Sequence, residues 1–213
     1  MRKFLKALKI IALSVSIASC MVLPLAIYAL SVATAERDEL KAQVTTFADH
    51  FDRIENIKQT LMIAYPISSY EAQYYAYIFD FLVRDCAVKH SVCVEWEIFA
   101  TVAWCESRYY TDLVSSKKAK GVFQILEPTF KGQANKLGFR YIENRSIWNE
   151  FLNVTAGCHY IAEHYDSTMG IKAYFGGPNH AGKIGVEEYY DNVMREYNKL
   201  KAIAKGVSLS IKK

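Results

Sequence analysis

Glu106 lies where a carboxyl group could work as a general acid. Ile98, Val102 and Trp104 precede it with the spacing of an apolar helix, and Glu106 falls near the end of that helix. A carboxyl group beside aromatic residues is partly desolvated, which disfavours its charged form and raises its pKa. A raised pKa suits a general acid that works near neutral pH. A lone glutamate at a helix end is more often a solvated surface residue, so this interpretation depends on the residues that follow.

Residues with sugar-binding chemistry follow Glu106 in a fixed order. Hydroxyl and amide side chains can pair with the hydroxyl and acetamido groups of a sugar, and glycine lets a backbone approach closely. In chain order the candidates are Ser107, Ser115, Gly121, Gln124, Asn153, Gly157, Tyr160, Tyr174, Gly176, Gly177 and Tyr190. Each residue is a weak signal alone, and the information lies in their order.

This order resembles the soluble-lytic-transglycosylase-like (SLT) family of the lysozyme-like superfamily. The family pattern has a Glu-Ser pair at a helix end and then a loop of Ser, Lys, Ala and Gly that closes on Gln, here Ser115 to Gln124. An Asn-x-x-x-Gly-x-x-Tyr helix follows, here Asn153 to Tyr160. An Ala-Tyr-Asn-x-Gly-Pro segment completes the pattern, here Ala173 to Pro178. The resemblance spans about residues 94–194.

The resemblance implies a peptidoglycan lytic transglycosylase. Glu106 would protonate the glycosidic oxygen between N-acetylmuramic acid and N-acetylglucosamine, and the C6 hydroxyl would then close a 1,6-anhydro ring. The acetamido group of the substrate takes the place of a second carboxylate in such a scheme. The motif fixes no second acid, because Asp112 and Glu127 are expected on the surface. Two alternatives stay open: a lysozyme-type hydrolase of the same fold, and a non-catalytic peptidoglycan-binding component of a wall-spanning assembly.

The resemblance and the hydrogen-bonding capacity of the side chains also suggest the supporting roles. Ser115 and Gln124 would bind acetamido or hydroxyl groups of the sugar. Tyr174 could hydrogen-bond Glu106 or the substrate, and Gly121 would let the loop backbone approach the glycan. Tyr190 is placed with the substrate-binding residues, although a position in the core fits it equally well.

Two residues depart from the family pattern. Phe175 replaces the Asn of Ala-Tyr-Asn, so any sugar contact made by that amide is lost. Lys118 replaces a glycine that is usual in the family loop, here Ser115 to Gln124. Because glycine reaches backbone conformations that lysine seldom adopts, this replacement could change the shape of the loop.

The elements that must position these residues are helices. The chain has 10 Gly and 4 Pro in 213 residues, and its apolar residues recur at three- and four-residue steps. We therefore expect an all-α, lysozyme-like domain over residues 66–198. Its helices are predicted at residues 70–89 with Ser69 as the N-cap, at 95–109, after Pro128, at 151–165 and at 186–205, with a loop at 110–121 and a turn at 176–179.

An amphipathic helix is predicted before this domain, over residues 36–65. Leu40, Val44, Phe47 and Phe51 begin its apolar stripe, which breaks at Lys58. The break favours a helix packed on the domain over the alternative, a stalk that forms a short coiled coil.

The first 35 residues predict export. Met1–Lys9 is basic, and Ile10–Ala35 runs 26 residues without a charge. A helix of that length spans about 39 Å, enough for the hydrocarbon core of a bilayer. The leading basic residues place the N-terminus in the cytoplasm and the rest of the chain in the bacterial periplasm, at the inner membrane. Alternatives are signal cleavage near Ala35 and lipidation at Cys20.

Charge and ligand spacing argue against two further functions. Residues 1–35 carry +4 and the tail, residues 199–213, carries +5, which leaves about −5 for the residues between them. A nucleic-acid-binding face is therefore not expected in the domain. His159 and His164 are five residues apart, not the four that point both at one metal ion. We expect no metal, no cofactor and a monomer that acts on glycan strands.

Four cysteines outside the apolar segment predict disulfides in an exported domain. An even number of cysteines in an oxidising compartment favours pairing. Cys86–Cys93 would be a local disulfide, and Cys105–Cys158 would join distant parts of the chain. The alternative is four buried thiols.

Overall fold

The computed structural model describes residues 2–165 and 169–211 of the chain, and side chains from Leu30 onward except those of Met169 and Ile211. Two compact units are present, Met1–Phe51 and Asp52–Lys213. In the described ranges the regular elements are all helical, which confirms the all-α prediction. They are α1 (Arg2–Ala64), α2 (Ser69–His90), α3 (Trp96–Ser107), α4 (Glu127–Leu137), α5 (Glu150–Glu163), α6 (Met169–Gly176) and α7 (Val186–Ile211), with a 3-10 turn at Ser146–Trp148.

Helix α5 forms the centre of the second unit. It packs against α2, α4, α6 and the 3-10 turn, while α3 packs against α2 and α7. Seven consecutive residues of α5, from Asn153 to His159, are buried. A helix that is buried on every side cannot use charged residues there, which explains its run of small and apolar side chains. The fully buried aromatic side chains of the core are Tyr75, Phe79, Phe99, Phe123 and Phe130.

The last part of α1 belongs to this second unit. Ile54, Ile57 and Leu61 are buried in its core, and the ring of Tyr65 stacks on Trp104 with the ring centroids 4.6 Å apart. From Ile54 onward the predicted amphipathic helix thus packs on the domain. In the first unit its apolar stripe is exposed, at Leu40, Val44, Phe47 and Phe51. A coiled-coil stalk over that part stays a prediction.

The predicted membrane anchor falls mostly outside the residues whose side chains the structure describes. Among the described residues, no helix combines the length and the apolar character needed to cross a bilayer. The apolar segment Ile10–Ala35 includes 20 residues before Leu30, so its role stays a prediction from the sequence.

Side-chain caps fix the first residues of α2 and α5. The N-cap of α2 is Ser68, one residue before the predicted Ser69, and Glu71 completes a capping box. The Glu71 N–H donates to Ser68 Oγ at 3.2 Å, and the Ser68 N–H donates to Glu71 Oε2 at 2.8 Å. Asn149 caps α5 by accepting the Leu152 N–H at 3.0 Å. Such caps satisfy backbone N–H groups that a helix leaves unpaired.

Helix α6 was not predicted as a separate element. It has eight residues, and two of them are glycines, Gly170 and Gly176. Sequence patterns indicate a helix this short poorly, because one face shows too few apolar repeats.

The predicted disulfides are wrong, since all four cysteines of the second unit are free thiols. Cys86 points inward from the last turns of α2, whereas Cys93 is exposed in the loop beyond that helix. Cys105 is half-buried on α3, and Cys158 is fully buried on α5. Burial raises the pKa of the Cys86 thiol to about 12, so the buried thiols are poor nucleophiles.

A pair of histidines, His159 in the core and the half-buried His90, joins α2 to α5. His159 is fully buried, its Nε2 lies 2.9 Å from Asp85 Oδ2, and its Nδ1 lies 2.9 Å from His90 Nε2. Burial lowers the pKa of both histidines, because it disfavours the charged imidazolium. His159 is therefore a core residue.

The histidine pair makes stability depend on pH. Above the ordinary histidine value of 6.5 both rings are neutral in the folded and the unfolded chain. Below it the unfolded chain takes up protons that the folded chain resists, so the free energy of unfolding falls as the pH falls. We expect a smaller fall between pH 6.5 and 5 in His90→Gln, measured by urea unfolding at several pH values. An unchanged slope would contradict this role of His90.

Candidate active site

Glu106 occupies the last turn of α3, next to a sharp change in chain direction. Arg108 and Tyr109 adopt positive φ angles of 53° and 67°, which end the helix. Tyr109 then turns back under α3, where its hydroxyl donates to the Ala100 carbonyl at 2.9 Å. The helix end is thereby locked, and Glu106 is held at a defined place on it.

The carboxyl group of Glu106 lies in the low-polarity environment that the sequence predicts. Burial raises its pKa from 4.5 to about 7, and a hydrogen bond from the Tyr189 hydroxyl to Oε1, 2.5 Å long, opposes that rise. The carboxyl group is therefore partly protonated near neutral pH. Because Tyr189 donates to Oε1, the proton of the acid form is carried by Oε2.

A cavity of about 460 Å³ opens in front of Glu106. It brings together Glu106, Ser115, Gln124 and Tyr174, four of the predicted site residues. Gly121 and Tyr190 are not among the residues that line it. The lining consists of Glu106, Ser115, Ser116, Lys117, Ala119, Gln124, Ile125, Leu126, Thr129, Tyr160, Tyr174, Phe175, Gly176 and Gly177.

Ser115 and Gln124 support the loop that carries them, which we call the Ser115 loop (residues 113–125). Ser115 Oγ accepts the Ala119 N–H at 3.0 Å, and the Gln124 amide nitrogen donates to the carbonyls of Leu113 and Gly121, both at 2.9 Å. A serine hydroxyl used in this way still has its hydrogen to donate, and the glutamine still has its oxygen to accept. Both side chains can therefore brace the loop and bind a sugar.

Asn153 clamps the Ser115 loop to α5. Its Oδ1 accepts the Phe123 N–H at 2.9 Å, and its Nδ2 donates to the carbonyls of Lys120 and Ile147 at 3.0 and 3.1 Å. Gly121 faces this amide, since a Cβ there would lie 2.6 Å from Asn153 Nδ2. The φ of 75° at Gly121 and its close packing account for a glycine at this position. An approach of this backbone to the glycan stays a prediction.

Gly157 and Tyr160 continue the same face of α5. A Cβ on Gly157 would lie 2.3 Å from the ring of Phe123, so a larger residue would push the loop away. Tyr160, one turn further on, lines the cavity. The Asn-x-x-x-Gly-x-x-Tyr pattern therefore describes one helix face. Asn153 hydrogen-bonds the Ser115 loop, Gly157 leaves room for its Phe123 ring, and Tyr160 lines the cavity beside it.

Tyr174 holds the same loop from α6. Its hydroxyl donates to the Phe123 carbonyl, and its ring meets the Phe123 ring edge-on at 6.2 Å. The alternative in which Tyr174 hydrogen-bonds Glu106 is not what the structure shows. The residue that does so is Tyr189, which the sequence interpretation missed in favour of its neighbour.

Tyr190 is not among the residues that line the cavity. Lys172 Nζ lies 4.8 Å from the centre of its ring, a cation–π contact between α6 and α7. Successive residues on a helix are about 100° apart. A prediction that is wrong by one position along α7 therefore selects Tyr190, which packs on Lys172, in place of Tyr189, which contacts Glu106.

Both departures from the family pattern have a structural explanation. Phe175 stacks on Tyr189, with ring centroids 4.5 Å apart and an angle of 17° between the planes. Lys118 has a φ of 64°, so it adopts the conformation that a glycine would favour and the loop keeps its turn. The Lys118 N–H closes that turn on the Ser115 carbonyl at 2.9 Å.

Removing the Asn153 amide should destabilise the domain strongly. Asn153→Ala leaves the buried Phe123 N–H and the buried Ile147 carbonyl without their partner, so we expect a loss of about 3 kcal/mol in the free energy of unfolding. Asn135→Ala, an exposed asparagine on α4, is the matched control and should change it by less than about 0.5 kcal/mol. Equal effects of the two substitutions, measured by urea unfolding, would refute the clamp.

Lys118→Gly should stabilise the Ser115 loop. A left-handed conformation costs about 1 kcal/mol in a residue with a Cβ, so the substitution should raise the free energy of unfolding by about that amount. Lys117→Gly, one residue earlier and without a positive φ, should lower it by about 0.5 kcal/mol. Thermal and urea unfolding measure both, and a destabilised Lys118→Gly protein would argue against strain at this position.

Comparison with known proteins identifies the family of this site. Residues 88–196 match the family model described as "Transglycosylase SLT domain". A similar solved structure is the X-ray structure of an inactive mutant of the lytic transglycosylase Slt from Pseudomonas aeruginosa, with 16% identity and a TM-score of 0.44. The match covers 62% of this chain and 24% of that one, so this chain spans about a quarter of its length. No curated protein matches. Because the family model covers more than half of the sequence, the chain belongs to the Transglycosylase SLT domain family.

Proposed function

We propose that the protein is a lytic transglycosylase that cleaves the β-1,4 bond between N-acetylmuramic acid and N-acetylglucosamine and leaves a 1,6-anhydro end. The observation that carries this proposal is Glu106, whose pKa of about 7 keeps it partly protonated at the cavity. Among the described residues that line the cavity, Glu106 is the one carboxyl group. A site of this kind suits a reaction in which one group serves first as acid and then as base.

The reaction would take place in two proton transfers through the same carboxyl group. Glu106 Oε2 gives its proton to the glycosidic oxygen as the bond to C1 breaks, and the acetamido oxygen of the substrate stabilises the cation at C1. The Glu106 carboxylate then removes the proton of the C6 hydroxyl, whose oxygen bonds to C1 and displaces the acetamido oxygen. Glu106 ends protonated, as it began, and no water is consumed.

The surroundings of Glu106 fit these two roles. Tyr189 donates to Oε1 and stabilises the carboxylate formed after the first step. Ala119, Ile125 and Leu126 make part of the cavity apolar, which lowers the access of water to C1. Ser115 and Gln124 would bind the sugar with the hydroxyl hydrogen and amide oxygen that the loop leaves available.

The proposed setting is the periplasmic face of the bacterial inner membrane. The basic Met1–Lys9 and the uncharged Ile10–Ala35 support an N-terminal anchor or export signal, with the domain outside. Peptidoglycan glycan strands would be the partner, bound by a monomer without a cofactor. The net charge of about −5 between residues 36 and 198 gives no support for a nucleic-acid partner.

Replacing the acid should abolish the reaction. We expect Glu106→Gln to release anhydro-muropeptides from purified peptidoglycan at least about 1,000-fold more slowly than the natural protein, because the amide cannot transfer the proton. Mass spectrometry of the products measures this. Anhydro ends support the proposal, reducing ends indicate a hydrolase, and no release by the natural protein favours a binding component. Equal release by both proteins would refute the role of Glu106.

The pH dependence tests the same group. The acid form of Glu106 is required in the first step, so activity should fall as the pH rises through about 7. Glu106→Gln should also be more stable than the natural protein at pH 8, because ionising a buried carboxyl group favours the unfolded chain. That stability, measured by urea unfolding, shows whether the loss of activity comes from chemistry or from misfolding.

A further inference from the structure

Phe175 has a position that the family pattern does not account for. It lies near the end of α6, and its ring stacks on Tyr189 at the start of α7. A Cβ on Gly185 would be 3.5 Å from the same ring, which places the ring against the backbone just before α7. The side chain is 45% exposed, and it also lines the cavity in front of Glu106. One ring thus contacts both the first turn of α7 and the cavity.

We propose that Phe175 is a positioning residue, whose ring holds the Tyr189 hydroxyl on Glu106 and keeps water away from that hydrogen bond. The inference rests on the proposed function, because the placement of Glu106 matters for catalysis only if Glu106 transfers a proton. An asparagine, the usual residue of the family pattern, has no ring to stack on Tyr189.

The backbone before α7 explains why such a contact is needed. Gly177, Gly182 and Gly185 all have positive φ angles, between 74° and 84°, so the segment between α6 and α7 depends on conformations that few other residues adopt. A segment rich in glycine restricts the helix that follows it weakly. Tyr189 lies one turn after Gly185, and its N–H donates to the Gly185 carbonyl at 2.9 Å. The stack on Phe175 ties this turn to α6, as does the ion pair between Lys172 Nζ and Glu187 Oε2 at 2.6 Å, and the stack is the tie that contacts Tyr189 itself.

Helix α6 is itself fixed to the Ser115 loop. Tyr174, the residue before Phe175, donates its hydroxyl to the Phe123 carbonyl. Two adjacent aromatic residues of α6 therefore make two different contacts, Tyr174 with the Ser115 loop and Phe175 with the start of α7. A change at Phe175 should affect the α7 side alone.

Several titratable groups lie around Glu106. Tyr189 faces it from α7, Tyr174 from α6, Cys105 adjoins it on α3, and Lys117 borders the same cavity from the Ser115 loop. Burial is the largest cause of its raised pKa, and Tyr189 opposes the rise. Removing the ring of Phe175 has two opposed effects on the pKa of Glu106: a loosened Tyr189 hydrogen bond raises it, and the admission of water lowers it. Because burial is the larger cause, the pKa should move down, towards its ordinary value of 4.5.

The test compares variants of the full-length protein at position 175. In Phe175→Asn we expect the pH at which half the activity is lost to fall by about one unit, and the rate at pH 7 to fall about tenfold, mainly in kcat. Phe175→Tyr should keep the natural profile because it keeps the stack, and Phe175→Leu should lie between them. Phe151→Asn is the matched control, since Phe151 is 43% exposed and is not among the residues that line the cavity. Its profile should not change.

A second measurement separates this inference from the proposed function. The titration of the Glu106 carboxyl carbon, followed by NMR in the same proteins without substrate, should show a lower midpoint in Phe175→Asn than in the natural protein. If the natural protein forms no anhydro products but the midpoint still moves, the proposed function fails and the positioning role survives. If neither the midpoint nor the pH profile moves in Phe175→Asn, the positioning role is refuted. Circular dichroism confirms folding, and Phe175→Leu replaces Phe175→Asn if the latter unfolds.

Discussion

The side-chain amide of Asn153 satisfies three backbone groups at once: the Phe123 N–H and the carbonyls of Lys120 and Ile147. The Ser115 loop needs such a partner because it lies against the core with little regular secondary structure, having only isolated bridges at Val114–Lys120 and Lys120–Ile125. Buried backbone groups without partners would make the loop unstable. The central position of α5 is what allows one of its side chains to reach all three groups.

At Glu106 the proposed reaction needs a raised pKa, and that raised pKa lowers the stability of the fold. Its carboxyl group favours the protonated state because burial withdraws it from water, and above the ordinary carboxyl value this preference reduces the stability of the folded domain. The hydrogen bond from Tyr189 stabilises the carboxylate and so reduces this loss of stability without removing it. A carboxyl group in full contact with water would suit the fold better and would be ionised at neutral pH, when it could no longer act as an acid.

The sequence predicted the elements with long and regular patterns, and it predicted Glu106 through the order of residues around it. It failed where the outcome depends on the exact rotation of a helix. Tyr189 and Tyr190 are adjacent and identical in type, and the placement of α7 alone decides which of them meets Glu106. The start of α2 was likewise misplaced by one residue, because Ser68 and Ser69 are both good caps and the contact with Glu71 selects the first.

The cysteines show a different limit. Their even number gave no information on whether the side chains point towards each other, and Cys86 faces the core while Cys93 faces solvent. The departures at Lys118 and Phe175 could be identified from the sequence, but their consequences could not. Lys118 adopts the positive φ of the expected glycine at a cost in strain. Phe175 stacks on Tyr189, whose contact with Glu106 was not predicted.

The close approach of α5 to the Ser115 loop also restricts how this sequence can vary. There is no room for a Cβ between Gly157 and the ring of Phe123, and none between Gly121 and the amide of Asn153. A substitution on the helix is therefore tolerated only together with a change in the loop, and the reverse holds as well. The loop and the helix should accordingly evolve as one unit, while the exposed positions between their contacts drift freely.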